Sequence, residues 1–586
     1  MASIVNDNQF LPTSAQEVKR LGWDYIDIIL VSGDAYIDHP SFGTAIIARI
    51  LENSGYRVAI IPQPNWRDDL RDFKRFGEPR LFFGVTSGNI DSMVNHYTAN
   101  KRLRSDDAYT AGGKAGFRPD YATNVYSNIL KKLYPNSIVV LGGIEASMRR
   151  FVHYDYWQNT LMTSILESSN ADLLVYGMGE RQIIEIADKL NNSDSIFSCY
   201  GIKQIAYLSD FDDNKKDDIL LHSFSELKKD KRKYAQNFVI VEEESNYNSN
   251  RRIVQDLEKK KLIVNPIMPQ LSQKEIDNIY SLNYSRQPHL RYRNKPPVPA
   301  FEMIKDSVTI HRGCFGGCSF CTISAHQGKH ITSRSQESVL SELENIAKNP
   351  NFKGHITDIG GPSANMYAMK GFDTKICEKC KKPSCIFPVV CKNLNTSHKE
   401  LLELYQKSLK IKGIKKISIG SGIRYDIVLY DTKNPDINII NAKYLELLVS
   451  KFVSGRLKVA PEHSSQKVLK LMRKTNFETF KKLKQTFDKI NKQYDLNQQL
   501  IPYFISSHPG CSELDMADLT AQTKSLGFKL EQIQAFTPTP MTLSTVMYYT
   551  EINPYTQEKL FVAKTKTQRD NQLSYFFWYK QKGTKK

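Results

Sequence analysis

Short apolar runs, each closed by a glycine or another turn former and followed by a helix-spaced segment, recur along the chain. Ile26-Asp27-Ile28-Ile29-Leu30-Val31 ends in Ser32-Gly33-Asp34. A run of that length bounded by turn residues predicts a strand buried on both faces. Residues 44–53 have helical spacing and stop before Gly55, as a helix capped by glycine does. Residues 56–61, 81–85, 137–141 and 173–176 repeat the strand pattern, and the last two run into Gly142-Gly143 and Gly177-Met178-Gly179-Glu180. Strands alternating with helices, with glycines just past the strand ends, predict a doubly wound, Rossmann-like α/β domain over 1–204 that binds ligands at the carboxyl ends of its strands.

From 205 to 300 the pattern turns polar and charge-dense and ends in Pro296-Pro297-Val298-Pro299, which predicts a connector closed by a stiff junction. The strand–helix alternation then resumes. Strands are expected at 308–311, 356–361, 416–420, 457–459, 500–504 and 532–536, within a core domain at 301–550. Six such units predict a partial (β/α)6 barrel with its active site at the carboxyl ends of the strands. The tail, 551–586, is basic and carries Tyr575-Phe576-Phe577-Trp578-Tyr579. Such aromatics either stack on nucleic-acid bases or dock a terminal helix.

Composition adds bounds. The 586 residues are 40% hydrophobic and 24% charged, as in ordinary globular proteins. The 81 Lys and Arg against 62 Asp and Glu give a formal charge of +19, which reads either as a footprint for nucleic acid or as a Lys-rich coding bias with both signs interspersed. The start, Met-Ala-Ser-Ile-Val-Asn-Asp, lacks the basic-then-apolar pattern of a signal peptide. No apolar run approaches the roughly 18 residues of a membrane span. Seven of the nine cysteines fall between 314 and 391, as metal ligands do and disulfide frameworks do not. A reducing, cytoplasmic setting is expected, with no membrane partner.

Chemistry concentrates in residues 311–329. Cys314, Cys318 and Cys321 have C-x3-C-x2-C spacing, loosened by Gly313, Gly316 and Gly317. Three thiolates on one loop can hold three irons of a cubane cluster and leave the fourth open, whereas a closed structural site uses four ligands. Cys377, Cys380, Cys385 and Cys391 form a second group, able to close on zinc or on an auxiliary iron–sulfur cluster, with Lys379, Lys381 and Lys382 offsetting their charge. Ala111-Gly112-Gly113-Lys114 through Arg118 is read either as an anion-wrapping loop or as a flexible surface loop. Cys199 and Cys511 stand alone, and His508 sits either in a strand-end turn or facing the pocket.

Residues 302–545 resemble a radical S-adenosylmethionine (SAM) core, and the whole chain resembles the YgiQ family of radical SAM proteins. The resemblance implies a 4Fe–4S cluster on Cys314, Cys318 and Cys321, and SAM chelating the open iron and cleaved reductively to start radical chemistry. It also implies an electron donor such as flavodoxin or ferredoxin. Ile359-Gly360-Gly361-Pro362 is similar to the family's second-strand segment; Gly360 and Gly361 would meet the SAM amino group through the backbone, Pro362 standing where an acid is usual. Arg424, in Ser418–Asp426, is the candidate partner of the SAM carboxylate, and Lys458–Ser465 is similar to the fourth-strand segment. The first domain resembles the cobalamin-binding-like domain found before many such cores, through Val139–Gly143 and Ala171–Glu180. The lower-ligand motif D-x-H-x-x-G is missing, since Asp38 and His39 are adjacent and Gly43 follows four later. Cobalamin is therefore not expected, and His39 is a loop cap or a ligand. The implied function is a radical SAM enzyme on an unidentified substrate. The alternatives are a cobalamin-dependent or tRNA-directed methyl or methylthio transferase, and a non-catalytic metal-binding scaffold.

Overall fold

In the computed structural model, which describes residues 9–193, 195–210, 214–246, 249–530 and 532–580, the first apolar runs become the centre of one large sheet. Readings that fall on residues 1–7, 211–213 and 581–586 lie outside the described residues. The strands are β1 (Ile28–Ser32), β2 (Val58–Pro62), β3 (Phe82–Thr86), β4 (Val139–Leu141), β5 (Leu173–Val175), β6 (Ile205–Ser209), β7 (Ile219–Leu220), β8 (Ile253–Asp256) and β9 (Lys261–Val264). Their order is β7-β8-β9-β6-β5-β4-β3-β1-β2. The segment β2-β1-β3-β4-β5 is all parallel, with Ile28 opposite Val58 on one side and Phe82 on the other. Ile28, Ile29, Val31, Val58, Ile60 and Phe82 are fully buried, because helices cover both faces; each contributes about 1.5–3 kcal/mol. In this order the connections reverse between β1 and β3, and the crevice outside that switch point is where such sheets take ligands.

The expected connector is folded into this domain. β6, β9 and β8 extend the sheet through antiparallel pairing, with β8 and β9 forming a hairpin that sets Ile253 opposite Val264, and β7 adds to β8 in parallel. The polar composition conceals these strands because they are only two to five residues long and lie between charged turns. Their few apolar side chains, such as Leu262 and Ile263, are nonetheless buried. Farther on, the helix Gln273–Tyr280 lays Ile276 and Ile279 against Ile46 and Ile50 of the helix Gly43–Asn53. The proline-rich junction packs Val298 and Phe301 on Ile37 and Phe42.

The second unit carries β10 (Ser307–Thr309), β11 (His355–Ile356), β12 (Asp358–Gly360), β13 (Lys416–Ile417), β14 (Arg456–Glu462), β15 (Gln499–Ser506) and β16 (Gln532–Ala535). β10 pairs parallel with β12, β11 with β13, and β14-β15-β16 form a parallel ladder. β11 and β12 are one expected strand, interrupted at Thr357. Helices such as Gln336–Ala347 and Phe477–Gln493 cover the outside. The fold is therefore a partial (β/α)6 barrel preceded by a doubly wound α/β domain. The tail docks: Phe576 is 1% exposed in the second core, and Gln572 accepts from the Ser507 N–H at 2.8 Å and donates to the Cys511 carbonyl at 2.8 Å.

Candidate active site at the facing sheet edges

The cysteine loop leaves the carboxyl end of β10 through the strand pair His311–Arg312 and Thr332–Ser333. Gly313 has φ +87°, and a Cβ there would collide with the His330 carbonyl; only glycine fits. Gly317, at φ +60°, lies as tightly against the Pro383 carbonyl. The loop is held from three directions. Ser319 donates its N–H to the Met472 carbonyl at 3.1 Å, the Ser544 N–H reaches the Ser319 carbonyl at 2.9 Å, and Cys385 N–H reaches the Phe315 carbonyl at 3.0 Å. His508 lies beneath it, fully buried, with Nε2 2.7 Å from Ser544 Oγ.

Cys318 and Cys321 share a tight turn, the Cys321 N–H donating to the Cys318 carbonyl at 3.1 Å. Burial pushes the Cys321 thiol up to about 12 and raises that of Cys314, so metal loading must displace protons. Arg424 donates from Nη1 to Cys318 Sγ at 3.4 Å while its Nε and Nη2 grip Asp426 at 3.0 and 2.6 Å. Two of its donors thus go to Asp426 and one to the cysteine loop. Glu462 and Lys474, 3.6 Å apart and buried, complete the charged surroundings. Cys318 and Cys321 open onto a small crevice shared with Arg150 and Met541.

A cavity of about 600 Å³ separates the two sheet edges. The first domain supplies Thr86, Gly88, Gly142, Gly143 and Met178; the second supplies His311, Arg312, His326, Gly360 and Gly361. Gly361 matters because a Cβ would press into the His311 ring at 2.6 Å, and one at Gly360 would meet Ser421 Oγ at 2.6 Å. Asp358 holds that edge by accepting from the Gly420 and Ser421 N–H groups at 2.9 and 3.2 Å. Several buried polar atoms at the cavity lack a protein partner among the described residues: both ring nitrogens of His311, Nδ1 of His326, Nη2 of Arg312 and Oε2 of Glu180. Burial pushes His311 down to about 3 and His326 to about 4, so both rings are neutral at pH 7 and each presents one donor and one acceptor. Arg312 is neutralised by Glu180 across the domain boundary.

Of the residues expected from sequence, Gly360 and Gly361 line this cavity, while Cys318 and Cys321 line the smaller crevice and only the flanking parts of their loop, such as Ile323 and Gln327, reach the cavity. Sequence reasoning missed His311, Arg312, Glu180 and His326, which read as ordinary strand and helix residues; the adjacent His-Arg before the glycine was the available signal. His39 is buried with Nδ1 accepting from the Ser41 N–H at 3.1 Å, and it caps that loop. The 111–118 segment is anchored rather than flexible. Arg118 is fully buried, pairs with Asp34 at 2.8 Å and donates to the Ser87 carbonyl at 2.5 Å. It locks the two switch-point loops together.

Residues 10–307 match the family model described as "Radical SAM N-terminal", and residues 531–581 match a domain of unknown function, DUF3362. A "UPF0313 protein" of Bacteroides thetaiotaomicron is 55% identical over 584 residues, covering 97% of this chain and 94% of its own length. One from Methanocella arvoryzae is 45% identical over 553 residues, covering 94% and 90%. In fold, the chain is similar to the radical SAM methyltransferase TsrM from Kitasatospora setae, solved with cobalamin and a [4Fe-4S] cluster bound. That match has TM-score 0.50 and 12% identity, covering 94% of this chain and 91% of that one. Family match and fold define the class, a radical SAM enzyme, with which come a 4Fe–4S cluster and SAM. Within that class, the chain belongs to the UPF0313 family. Among the described residues no helix is long and apolar enough to cross a membrane.

Proposed function

We propose that Cys314, Cys318 and Cys321 ligate the 4Fe–4S cluster, and that SAM binds its open iron against the Gly360-Gly361 edge and reacts with a substrate held in the interdomain cavity. The observation that carries this reading is the juxtaposition of the cysteine loop, the backbone-exposing glycine pair and a 600 Å³ cavity at the carboxyl end of β10. The donor set fits the group: three thiols on a loop whose glycines permit the wrap, and none of the three tied into a disulfide. When bound, the cluster and SAM supply reductive cleavage and a primary carbon radical. The chain's part is to bind, orient and exclude water. Met472, Ser544 and Cys385 clamp the loop, and Arg424 donates to Cys318 Sγ, which stabilises a more negative sulfur and favours the reduced state. The neutral His311 and His326 rings offer hydrogen bonds rather than charge, which suits an uncharged polar group of the substrate. Anaerobically reconstituted, dithionite-reduced protein should release 5′-deoxyadenosine from SAM, and Cys318→Ala should not. Equal yields from the two would refute the assignment.

A second reading, cobalamin-dependent transfer, rests on the shape of the cavity. From Gly88 and Gly142 it continues between the sheet face at Leu30 and Val140 and the helices carrying Ile47 and Ile183, a slot able to take the flat, apolar tail of a large cofactor. His39 does not line it; the histidines that do are His311 and His326, which come from the second unit. Titration with hydroxocobalamin tests this: a shifted corrin absorption band that co-elutes with protein supports it, and free corrin alone rejects it.

A further inference from the structure

The loop from 371 to 394 carries the other cysteine group. An antiparallel bridge between Gly371 and Leu394 closes its base, with the Phe372 N–H donating to the Asn393 carbonyl at 2.8 Å. Inside, the Cys380 N–H reaches the Cys377 carbonyl at 3.1 Å, and the Cys391 N–H reaches the Cys385 carbonyl at 2.8 Å. These bonds draw Cys377 to Cys380 and Cys385 to Cys391. Gly371 is pressed so close to Cys377 Sγ that a Cβ would collide with it. Asn393 Nδ2 points at the same sulfur from 3.3 Å.

Lys329 is the second, independent observation. It belongs to the end of the first cysteine segment, is only 3% exposed, and has no carboxylate at ion-pair distance among the described residues. Its ammonium donates to the Cys380 carbonyl and to the Lys382 carbonyl at 2.9 Å, beside the Cys377, Cys380 and Cys385 thiols. A buried ammonium without a counter-ion is expensive, and a tetrathiolate centre carries the negative charge that would offset it. Lys381, expected from sequence to play this part, is instead turned to Glu243 and Glu244 at 3.6 and 3.5 Å.

We propose that Cys377, Cys380, Cys385 and Cys391 hold a second metal centre, a thiophilic iron–sulfur cluster or zinc ion, with Lys329 as its charge-balancing neighbour. Among the described residues no three ligating side chains converge as tightly as a single ion demands. That is equally true of Cys314, Cys318 and Cys321, so loading draws each set inward. The centre abuts the first loop: Ser384 Oγ donates to the Gly316 carbonyl at 2.8 Å, next to the Cys385–Phe315 bond. The assignment does not depend on the SAM reading above.

The test is metal and acid-labile sulfide content of the full-length chain, isolated anaerobically from cells supplied with iron and zinc. A variant with Cys314→Ser, Cys318→Ser and Cys321→Ser should retain stoichiometric zinc, or matched iron and sulfide. Adding Cys377→Ser and Cys380→Ser should remove it. Zinc and iron–sulfide are distinguished by which is retained and then lost. A first-set variant that holds neither overturns the proposal. Should the variants misfold, native wild-type protein serves: its second-set thiols should alkylate far more slowly than after chelation, and unprotected rates in metal-replete protein overturn it equally. Lys329→Gln should weaken metal retention about 10–100-fold, as loss of a supporting contact does, with Lys329→Arg restoring part of it.

Discussion

Arg312 and Glu180 pair across the boundary between the two units with side chains 7% and 4% exposed. Tyr280 supports them, its hydroxyl accepting from Arg312 Nε at 3.3 Å and its ring lying 5.3 Å from the guanidinium. Glu180 also opens the helix Glu180–Asn192, where a carboxylate is favoured by the N-terminal dipole. Replacing Glu180 by Leu leaves Arg312 buried and uncompensated, a loss of about 3–5 kcal/mol. At about 1.4 kcal/mol per decade, that is a shift of about two to three and a half orders of magnitude in the opening equilibrium. Glu180→Leu combined with Arg312→Met removes both charges, and the pair should be far less destabilised than the sum of the single variants. Urea unfolding of the full chain reads this out, since Trp23, Trp66 and Trp157 report on the first unit and Trp578 on the tail. The cycle should give a coupling above about 2 kcal/mol, within the range for contacting residues. Single variants within about 0.5 kcal/mol of wild type, or strict additivity, would refute the idea that this pair holds the units together.

Acid should destabilise the fold early. Burial holds His311 and His508 near 3 and His326, His398 and His463 near 4. The unfolded chain therefore binds more protons below about pH 6.5, and stability is lost as pH falls from there toward about 3; equal urea midpoints at pH 7.5 and 5 would contradict this. Gly313→Ala forces a side chain into the His330 carbonyl at φ +87°, so reconstituted protein should hold less iron at the first loop than wild type, measured per chain; undiminished iron would show that the loop tolerates the strain. Phe576→Ala should cost about 3–5 kcal/mol, because a ring 1% exposed leaves a cavity under the tail; a thermal midpoint unchanged from wild type would mean the tail is not docked in solution. Arg424→Gln should move the reduction potential of the first cluster to more negative values by removing the donor to Cys318 Sγ, and an unchanged potential in a spectroscopic redox titration counts against that role.

The parallel strands were legible because burial on both faces leaves uninterrupted apolar runs, as in Ile28–Val31, and turn glycines mark their ends. The nine-stranded width was not. Strands as short as Ile219–Leu220 carry too few residues to stand out from the charged turns beside them. The cysteines and Gly360-Gly361 could be picked out by local spacing alone. Lys329 could not be tied to Cys380, nor Arg312 to Glu180, because those partners meet only in the folded chain, the first pair between two loops of the second unit and the second pair across the two units, and neither residue type nor neighbour marks the pairing. Arg424 shows what residue type leaves out: it pointed to a ligand carboxylate, and the folded chain also sets Asp426, two residues away, to accept from its Nε and Nη2.

The clamps on the first cysteine loop come from Cys385, Met472 and Ser544, all later in the chain. During synthesis Cys314, Cys318 and Cys321 therefore leave the ribosome long before the residues that enclose them. The nascent protein offers a wide-open loop to any delivery machinery, and the finished protein a nearly shut one. On the proposed cluster assignment, loading during synthesis would meet none of these clamps, whereas loading of the finished chain would start from half-buried cysteines.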